Sequence, residues 1–227
     1  MKLEEIVPWG RSFDEYVKMF DLAPQDLSGK IIDCAGGPAS FNTEATQKGH
    51  RVISCDPLYR FTAEEIAGRI NATYETVVAG AEANRDRYAW KEVSSPEHMG
   101  KVRMAAMRRF LEDFSPGLEE GRYRPDKLPS LEFNNGEFDL ALCSHFLYTY
   151  SEQLSADFHV AAIEEMCRVA DKARIFPLLN YAGGSSSLLR PVVDKLRVRG
   201  YRTEIAKVPY EFQRGGNEML TVRQIAD

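Results

Sequence analysis

Short apolar runs alternate with segments of helical periodicity along most of this 227-residue chain. A buried strand followed by an amphipathic helix is the repeating unit of α/β proteins, in which the strands lie parallel. We expect buried strands at 30–35, 51–56, 138–144 and 173–179. The alternation therefore predicts a mostly parallel sheet with helices packed against it.

The end of the chain follows a different pattern. Residues 201–208 and 217–223 both have the composition of strands, and only a short loop around "FQRGG" separates them. Two parallel strands need a long crossover connection, so these two strands must run antiparallel. We therefore predict an α/β fold with a mostly parallel sheet and a terminal antiparallel strand.

Residues 60–120 interrupt the alternation with helical patterns alone. Ile66 and Ile70 begin one apolar face, in a helix that starts near Thr62 and extends towards Trp90, and a second helix is expected over 96–114. We interpret 60–120 as a helical insertion, or cap, within a single domain of residues 1–227.

Composition excludes several classes of protein. The formal net charge of −5 argues against general nucleic-acid binding, and no stretch approaches the roughly 18 apolar residues of a membrane helix. None of the four cysteines lies in a C-x-x-C pair, so no metal site is predicted, and we expect reduced, buried thiols. The beginning of the sequence lacks the apolar core of a signal peptide, and we expect a cytoplasmic protein.

The segment "IIDCAGGPASF", residues 31–41, follows the first strand with a glycine loop. It fits the dinucleotide fingerprint G-x-G-x-x-G poorly, and no P-loop motif is present. It fits acid-x-Gly-x-Gly-x-Gly better, with Asp33 as the acid, Gly37 as the central glycine, and alanine at positions 35 and 39. Asp56 ends the second strand, where an acid can accept hydrogen bonds from ribose hydroxyls.

These residues resemble those of class I S-adenosylmethionine-dependent methyltransferases, which implies a Rossmann-like, mostly parallel sheet of seven strands with a terminal antiparallel strand. The resemblance covers about residues 28–223 and includes "DCAGGPASF", "SCDPLY", "LEFNNGEFDLALCSHFL" and the antiparallel closing strand. The segments "VPWGRSFDEYVKMF", "SHFLYTYSEQ" and "VPYEFQRGGNEML" resemble, more narrowly, a bacterial group of such proteins with no assigned substrate.

The resemblance implies S-adenosylmethionine as the cofactor and a set of residues that contact it. Asp33 is expected near the amine of the cofactor or as a residue that orders the loop, and Asp56 is expected at the ribose. Backbone amides near Ser40 are expected to bind the methionyl carboxylate. The adenine is expected near Lys127–Leu128, beside Asp126. The full cofactor set is Asp33, Ala35, Gly36, Gly37, Asp56, Pro57, Lys127, Leu128, Cys143 and Ser144.

His145, just past the fourth strand, is the candidate catalytic residue, because relatives place this position near the transferred methyl group. It would act as a general base only if the acceptor begins protonated. A structural, hydrogen-bonded histidine is an equally strong interpretation. Phe146, Tyr148 and Tyr150 form either an aromatic wall around the ligands or part of the core.

The acceptor is left open by the sequence. No Asn-Pro-Pro-Tyr or Pro-Cys motif follows the fourth strand, so we expect methylation of an O, N or S atom of a small molecule, with RNA or protein as alternatives. A non-catalytic cofactor-binding protein and a nicotinamide-dependent oxidoreductase are the competing hypotheses. The basic stretch 98–110 is either a phosphate contact or a solvated helix face.

The segment that contains Trp9 and Arg11 has two interpretations. The two side chains could close over the cofactor, or Trp9 could pack on the sheet. An amphipathic helix is expected to follow within "SFDEYVKMF".

Overall fold

The structure is a computed structural model, and it describes residues 7–225. Within that range the chain forms seven α-helices and seven β-strands. In chain order these are α1 (Phe13–Met19), α2 (Pro24–Ser28), β1 (Lys30–Cys34), α3 (Phe41–Gln47), β2 (Arg51–Cys55), α4 (Ala63–Ala83), α5 (Pro96–Glu119), β3 (Tyr123–Arg124), β4 (Leu140–Ser144), α6 (Ala156–Val169), β5 (Ala173–Phe176), α7 (Leu189–Val198), β6 (Tyr201–Lys207) and β7 (Glu218–Gln224).

All seven strands form one sheet with the order β3-β2-β1-β4-β5-β7-β6. β1 pairs in parallel with β2 and β4, whereas β7 is antiparallel to both of its neighbours. The predicted fold class is therefore confirmed. The antiparallel strand is last in the chain, but it lies inside the sheet, between β5 and β6.

Two apolar layers cover the sheet on opposite faces. Residues of β1 alternate between them, because successive side chains of a strand point to opposite faces. Ile32 packs with α6 and α7 in the larger cluster, and Ile31 packs with α1 and α3 in the other. Apolar packing on both faces of the sheet therefore holds the carboxyl ends of the central strands in position.

Helices α4 and α5 lie between β2 and β3 and pack against each other. Ile66 and Ile70 of α4 meet Met107, Phe110 and Phe114 of α5 in a separate apolar cluster. Helix α4 ends before the expected position near Trp90, because Asn84 caps it with a side-chain hydrogen bond to the carbonyl of Gly80 at 2.8 Å. Helix α5 continues past the expected end at Phe114, and buried Gly117 lies in its last turn.

Arg103 is the exception in the basic stretch 98–110. It lies on the inner side of α5, with 1% of its surface exposed, and it pairs with Glu15 of α1. Its guanidinium also donates to the hydroxyl of Tyr210 at 3.1 Å. Arg103 is therefore not available to contact a phosphate, and it does not lie on a solvated helix face. Lys101, near the start of the stretch, is exposed.

Candidate functional site

A cavity of about 930 Å³ opens at the carboxyl ends of β1, β2 and β4. Its walls come from the loop after β1, the turn after β2, helix α4 and the segment after β4. Most of the expected cofactor residues line it, namely Ala35, Gly36, Gly37, Asp56, Pro57, Lys127, Leu128 and Ser144, and so does His145. Asp33 and Cys143 are buried beneath the surface and do not line the cavity.

The glycine loop has a tight, left-handed backbone. Ala35 and Gly37 have φ angles of 56° and 54°, a region that costs a residue with a β-carbon free energy. Ala35 thus keeps the conformation for which the sequence pattern would use glycine. The amide of Gly36 donates to the carbonyl of Cys55 at 3.2 Å, which joins the loop to the end of β2.

Asp33 supports this loop from below. Its carboxylate accepts hydrogen bonds from the Ser54 hydroxyl at 3.0 Å and from the Tyr16 hydroxyl at 3.1 Å. Burial raises the pKa of Asp33 to about 7, against the lowering effect of these two hydrogen bonds. These hydrogen bonds join the end of β1 to β2 and α1 beneath the loop, and the role of Asp33 towards a ligand stays a prediction.

Asp56 lies on the cavity wall and ties two backbone segments together. Its Oδ2 accepts from the amide of Gly37 at 3.0 Å, and its Oδ1 accepts from the amide of Leu58 at 2.7 Å. Burial raises the pKa of Asp56, although both backbone hydrogen bonds act to lower it. Each carboxylate oxygen has a second lone pair, so the group can still accept hydrogen bonds from a ligand.

The backbone near Ser40 is not arranged as expected. The amide of Ser40 donates to the carbonyl of Arg11 at 3.0 Å, so it is not free to bind a carboxylate. Gly10 makes this contact possible, because a β-carbon at position 10 would lie 2.0 Å from the carbonyl oxygen of Pro38. A long-range contact with the segment before α1 therefore occupies the Ser40 amide, one of the donors expected for the carboxylate.

The end of β4 carries a neutral histidine. Burial, and then the positive charges of Arg11 and Arg103, lower the pKa of His145 well below its usual value. Nδ1 of His145 lies 2.9 Å from the hydroxyl oxygen of Ser144, while Nε2 makes no hydrogen bond to any residue within 7–225. His145 also has a left-handed backbone, with φ at 53°. A neutral imidazole with a free nitrogen can accept a proton.

The residues expected at the adenine end also reach the cavity. Leu128 is almost fully buried, and Asp126, beside it, pairs with Arg124 at 3.0 Å. The second oxygen of Asp126 accepts from the amide of Glu132 at 2.8 Å, which fixes the loop after β3. The loop that carries Lys127 and Leu128 is therefore fixed in position by the contacts of Asp126.

The aromatic residues after β4 divide between the core and the cavity. Tyr148 is fully buried, whereas Phe146 and Tyr150 line the cavity. Trp9 lines it as well, but it packs against the α4–α5 side, with its ring centroid 6.0 Å from that of Tyr74, and not on the sheet. Arg11 also lines the cavity, and its sequence pattern gave no hint of the contact with Ser40.

A smaller cavity of about 490 Å³ adjoins the main one. The two share lining residues from α4, from the connection between α4 and α5, from the segments after β4 and β5, and from the loop between β6 and β7. These are Val77, Ala81, Tyr88, Thr149, Tyr150, Tyr181 and Gln213. The hydroxyl of Thr149 is buried and lacks a hydrogen-bond partner among the residues described. The combined space is larger than one small ligand needs.

The part of the chain that the structure describes contains neither a membrane-spanning helix nor a metal-binding cluster. No helix in 7–225 has the length and hydrophobicity to cross a membrane. No group of three or more His, Cys, Asp or Glu side chains in this range is arranged to hold a metal ion. Each of the four cysteines is buried as a free thiol.

Solved structures show the fold of this chain, and a curated relative shows its family. The structure has the fold of a class I methyltransferase, and it superimposes on that of the mitomycin 7-O-methyltransferase MmcR with a TM-score of 0.50 and 11% sequence identity. The match covers 94% of this chain and 54% of MmcR, so the chain spans about half of that enzyme. A TehB-like S-adenosylmethionine-dependent methyltransferase from Corynebacterium glutamicum matches with a TM-score of 0.49 and 14% identity, over 93% of this chain and 87% of that protein.

One curated relative covers nearly the whole chain. It is an uncharacterized protein of the archaeon Methanocaldococcus jannaschii, 33% identical over 225 residues, which are 99% of each sequence. This chain belongs to the same family as that archaeal protein. The bacterial grouping expected from the sequence is not confirmed by this relative. No protein-family profile matches the chain.

Proposed function

We propose that this protein is an S-adenosylmethionine-dependent methyltransferase that acts on a small molecule. The observation that carries the proposal is Asp56, whose carboxylate joins the glycine loop to the turn after β2 and still faces the cavity. An acid at this point of a parallel sheet suits the two hydroxyls of a ribose. The fold, which is shown independently, supports the same function.

The cavity has room for the cofactor and for an acceptor. Its volume of about 930 Å³ lies near the upper end of the range of roughly 300–1,000 Å³ for small-ligand sites. Gly36 and Gly37 let the backbone approach a ligand closely, Asp56 and Pro57 would contact the ribose side, and Lys127–Leu128 the adenine side. Ala35 and Ser144 complete the proposed cofactor site, while Cys143 lies buried beneath it and Asp33 is proposed to order the loop.

When bound, the cofactor supplies a methyl group on a sulfonium. The protein contributes position and a proton acceptor. We propose that His145, which is neutral and whose Nε2 makes no hydrogen bond within residues 7–225, accepts the proton of an acceptor that begins protonated. Residues of 60–120 form one wall of the cavity and are proposed to act as a cap within a single domain of residues 1–227.

The adjoining cavity supports a small-molecule acceptor. Tyr88, Tyr150 and Tyr181 line both spaces, which provides aromatic surface beside the end of β4. Arg103 is buried in an ion pair, which removes a cation from the stretch that would have contacted a nucleic acid. A cytoplasmic location is part of the same proposal.

Isothermal titration with S-adenosylhomocysteine tests the proposal. We expect the wild-type protein to bind and Asp56→Ala to lose at least tenfold in affinity, because the ribose contact is removed. Asp194→Ala is the matched control, since Asp194 is exposed on α7 and outside the cavity. A wild-type protein that binds neither this ligand nor S-adenosylmethionine contradicts the proposal, as does equal affinity in Asp56→Ala.

A further inference from the structure

Arg11 is a cation on the cavity wall without an acidic partner. An arginine guanidinium has five N–H donors. In this structure one of them, on Nη1, donates to the carbonyl of Trp9 at 3.2 Å, and the buried Nε has no partner among residues 7–225. No carboxylate in the same range lies within ion-pair distance of Arg11. A buried charge without a partner is costly unless a ligand completes it.

The charges around Arg11 do not balance. Arg103 lies nearby, and together the two guanidinium groups carry two positive charges against the single negative charge of Glu15. Glu15 is already committed, because it pairs with Arg103 and accepts from the hydroxyl of Tyr210 at 2.8 Å. Burial and then the charge of Arg103 lower the pKa of Arg11. Within residues 7–225 the cluster therefore carries one more positive charge than negative charge, and Arg11 is the member that lines the cavity.

The glycine loop offers few donors to an anion. The amides of Gly36, Gly37 and Ser40 donate to Cys55, Asp56 and Arg11 respectively, whereas the amide of Ala39 has no partner among residues 7–225. Residue 38 is proline and has no amide hydrogen. Arg11 itself provides the carbonyl that occupies the Ser40 amide, while its side chain extends to the cavity. Arg11 thus occupies the neutral amide donor of Ser40 with its own carbonyl and places its charged guanidinium at the cavity wall.

We propose that Arg11 binds a carboxylate of a ligand in this cavity, where most of the loop amides are already occupied. This inference rests on the proposed function, which supplies two sources of such a group. One is the methionyl carboxylate of the cofactor, and the other is a carboxylate on the acceptor. Arginine suits both, because its planar fork can donate two parallel hydrogen bonds to a carboxylate.

The first arm of the test compares two adenosine ligands that differ in the amino-acid group. S-adenosylhomocysteine has the carboxylate, and 5′-methylthioadenosine lacks it. If the cofactor is the source, Arg11→Gln lowers the affinity for S-adenosylhomocysteine at least tenfold and leaves the affinity for 5′-methylthioadenosine unchanged. Arg108→Gln, an exposed arginine on α5 that lies outside the cavity, is the matched control.

The second arm uses benzoate as a probe, detected by ligand-observed NMR with and without S-adenosylhomocysteine. If the acceptor is the source, benzoate binds to the wild-type and Arg108→Gln proteins but not to Arg11→Gln, and the affinity for S-adenosylhomocysteine does not change. Equal affinity for S-adenosylhomocysteine in all three proteins, together with no Arg11-dependent binding of benzoate, overturns the proposal.

The controls separate this inference from the proposed function and from misfolding. A wild-type protein that binds neither adenosine ligand contradicts the proposed function, and the benzoate arm then decides the role of Arg11 alone. Retained binding of 5′-methylthioadenosine shows that Arg11→Gln is folded. If that variant does not fold, Arg11→Lys replaces it in both arms, and a lysine that restores less than the full affinity for the carboxylate ligand supports the inference.

Discussion

The carboxylate of Asp33 occupies the space beside Gly36 that a side chain would need. A β-carbon at position 36 would lie 2.4 Å from Oδ2 of Asp33 and 2.9 Å from the hydroxyl oxygen of Tyr59. Neither neighbour is free to move, because Asp33 is held by Ser54 and Tyr16, and the hydroxyl of Tyr59 donates to the carbonyl of Gly37 at 2.7 Å. The loop and its support are therefore packed as one unit.

Gly36→Ala should destabilise the protein by about 1–3 kcal/mol, the usual cost of overpacking. Gly37→Ala should cost about 1 kcal/mol, because nothing lies within 4 Å of its β-carbon but φ is 54°. Gly68→Ala, in open space on α4, is the control and should not destabilise. Urea denaturation measures the free energies of unfolding of the three variants. A Gly36→Ala protein that is as stable as Gly68→Ala contradicts the packing argument.

Asp33→Asn should change how stability depends on pH. The pKa of Asp33 is about 7 in the folded protein, against about 3.9 in an unfolded chain. The folded state therefore binds more protons between about pH 4 and pH 7, and the free energy of unfolding falls as pH rises through that window, by on the order of 4 kcal/mol in total. In Asp33→Asn, the free energy of unfolding should not show this decrease between about pH 4 and pH 7.

Denaturation of wild type and Asp33→Asn at a series of pH values from about 4 to 8 measures this difference. Asp194→Asn, which alters an exposed acid, should show the wild-type slope. If the free energy of unfolding of Asp33→Asn varies with pH as steeply as that of the wild type, Asp33 is not the group that binds the extra proton in the folded state.

Arg103→Met should destabilise the protein by about 3–5 kcal/mol, because Glu15 would then be buried without its partner. Burial alone would raise the pKa of Glu15, but Arg103 and Arg11 outweigh it and lower the pKa to about 2. The stability from this pair is present above the unfolded pKa of about 4.3 and is lost as pH falls through about 2. Arg108→Met is the control on the same helix.

The double variant Arg103→Met, Glu15→Gln distinguishes an ion pair from lost packing. It should be more stable than Arg103→Met alone, since position 15 then carries no carboxylate that lacks its paired guanidinium. Additive losses from the two changes would show that the charges are not coupled. Denaturant midpoints at neutral pH measure all four proteins.

His145→Gln should separate binding from transfer. We expect S-adenosylhomocysteine to bind with nearly unchanged affinity, while transfer of labelled methyl to fractionated cell extract falls by about 100-fold or more. Because the pKa of His145 lies well below its usual value, the wild-type rate should not decline between about pH 8 and pH 6 through protonation of this residue. His98→Gln, exposed at the start of α5, is the control. Unchanged transfer in His145→Gln leaves His145 a structural residue.

The central strands and the residues at their ends could be predicted from the sequence, because their apolar runs and glycine loop are local patterns. β3 was not located, since it consists of two residues that pair only with Ser54 and Cys55. The contact between Arg11 and Ser40 joins residues far apart in the chain, and nothing in either segment indicates it. The buried position of Arg103 was missed for the same reason, because its partner Glu15 lies on another helix.

The place of β7 in the sheet has a consequence for synthesis. Val222 of β7 pairs with Ala173 of β5 on one side and with Thr203 of β6 on the other, so β6 has no direct contact with β5 in the sheet order. A chain leaving the ribosome thus releases β5 and β6 before the strand that joins them. Until Glu218–Gln224 emerges, the edge of β5 stays unpaired, and unpaired strand edges promote aggregation. Nascent chains of this protein should therefore depend on protection by chaperones until the final strand is made.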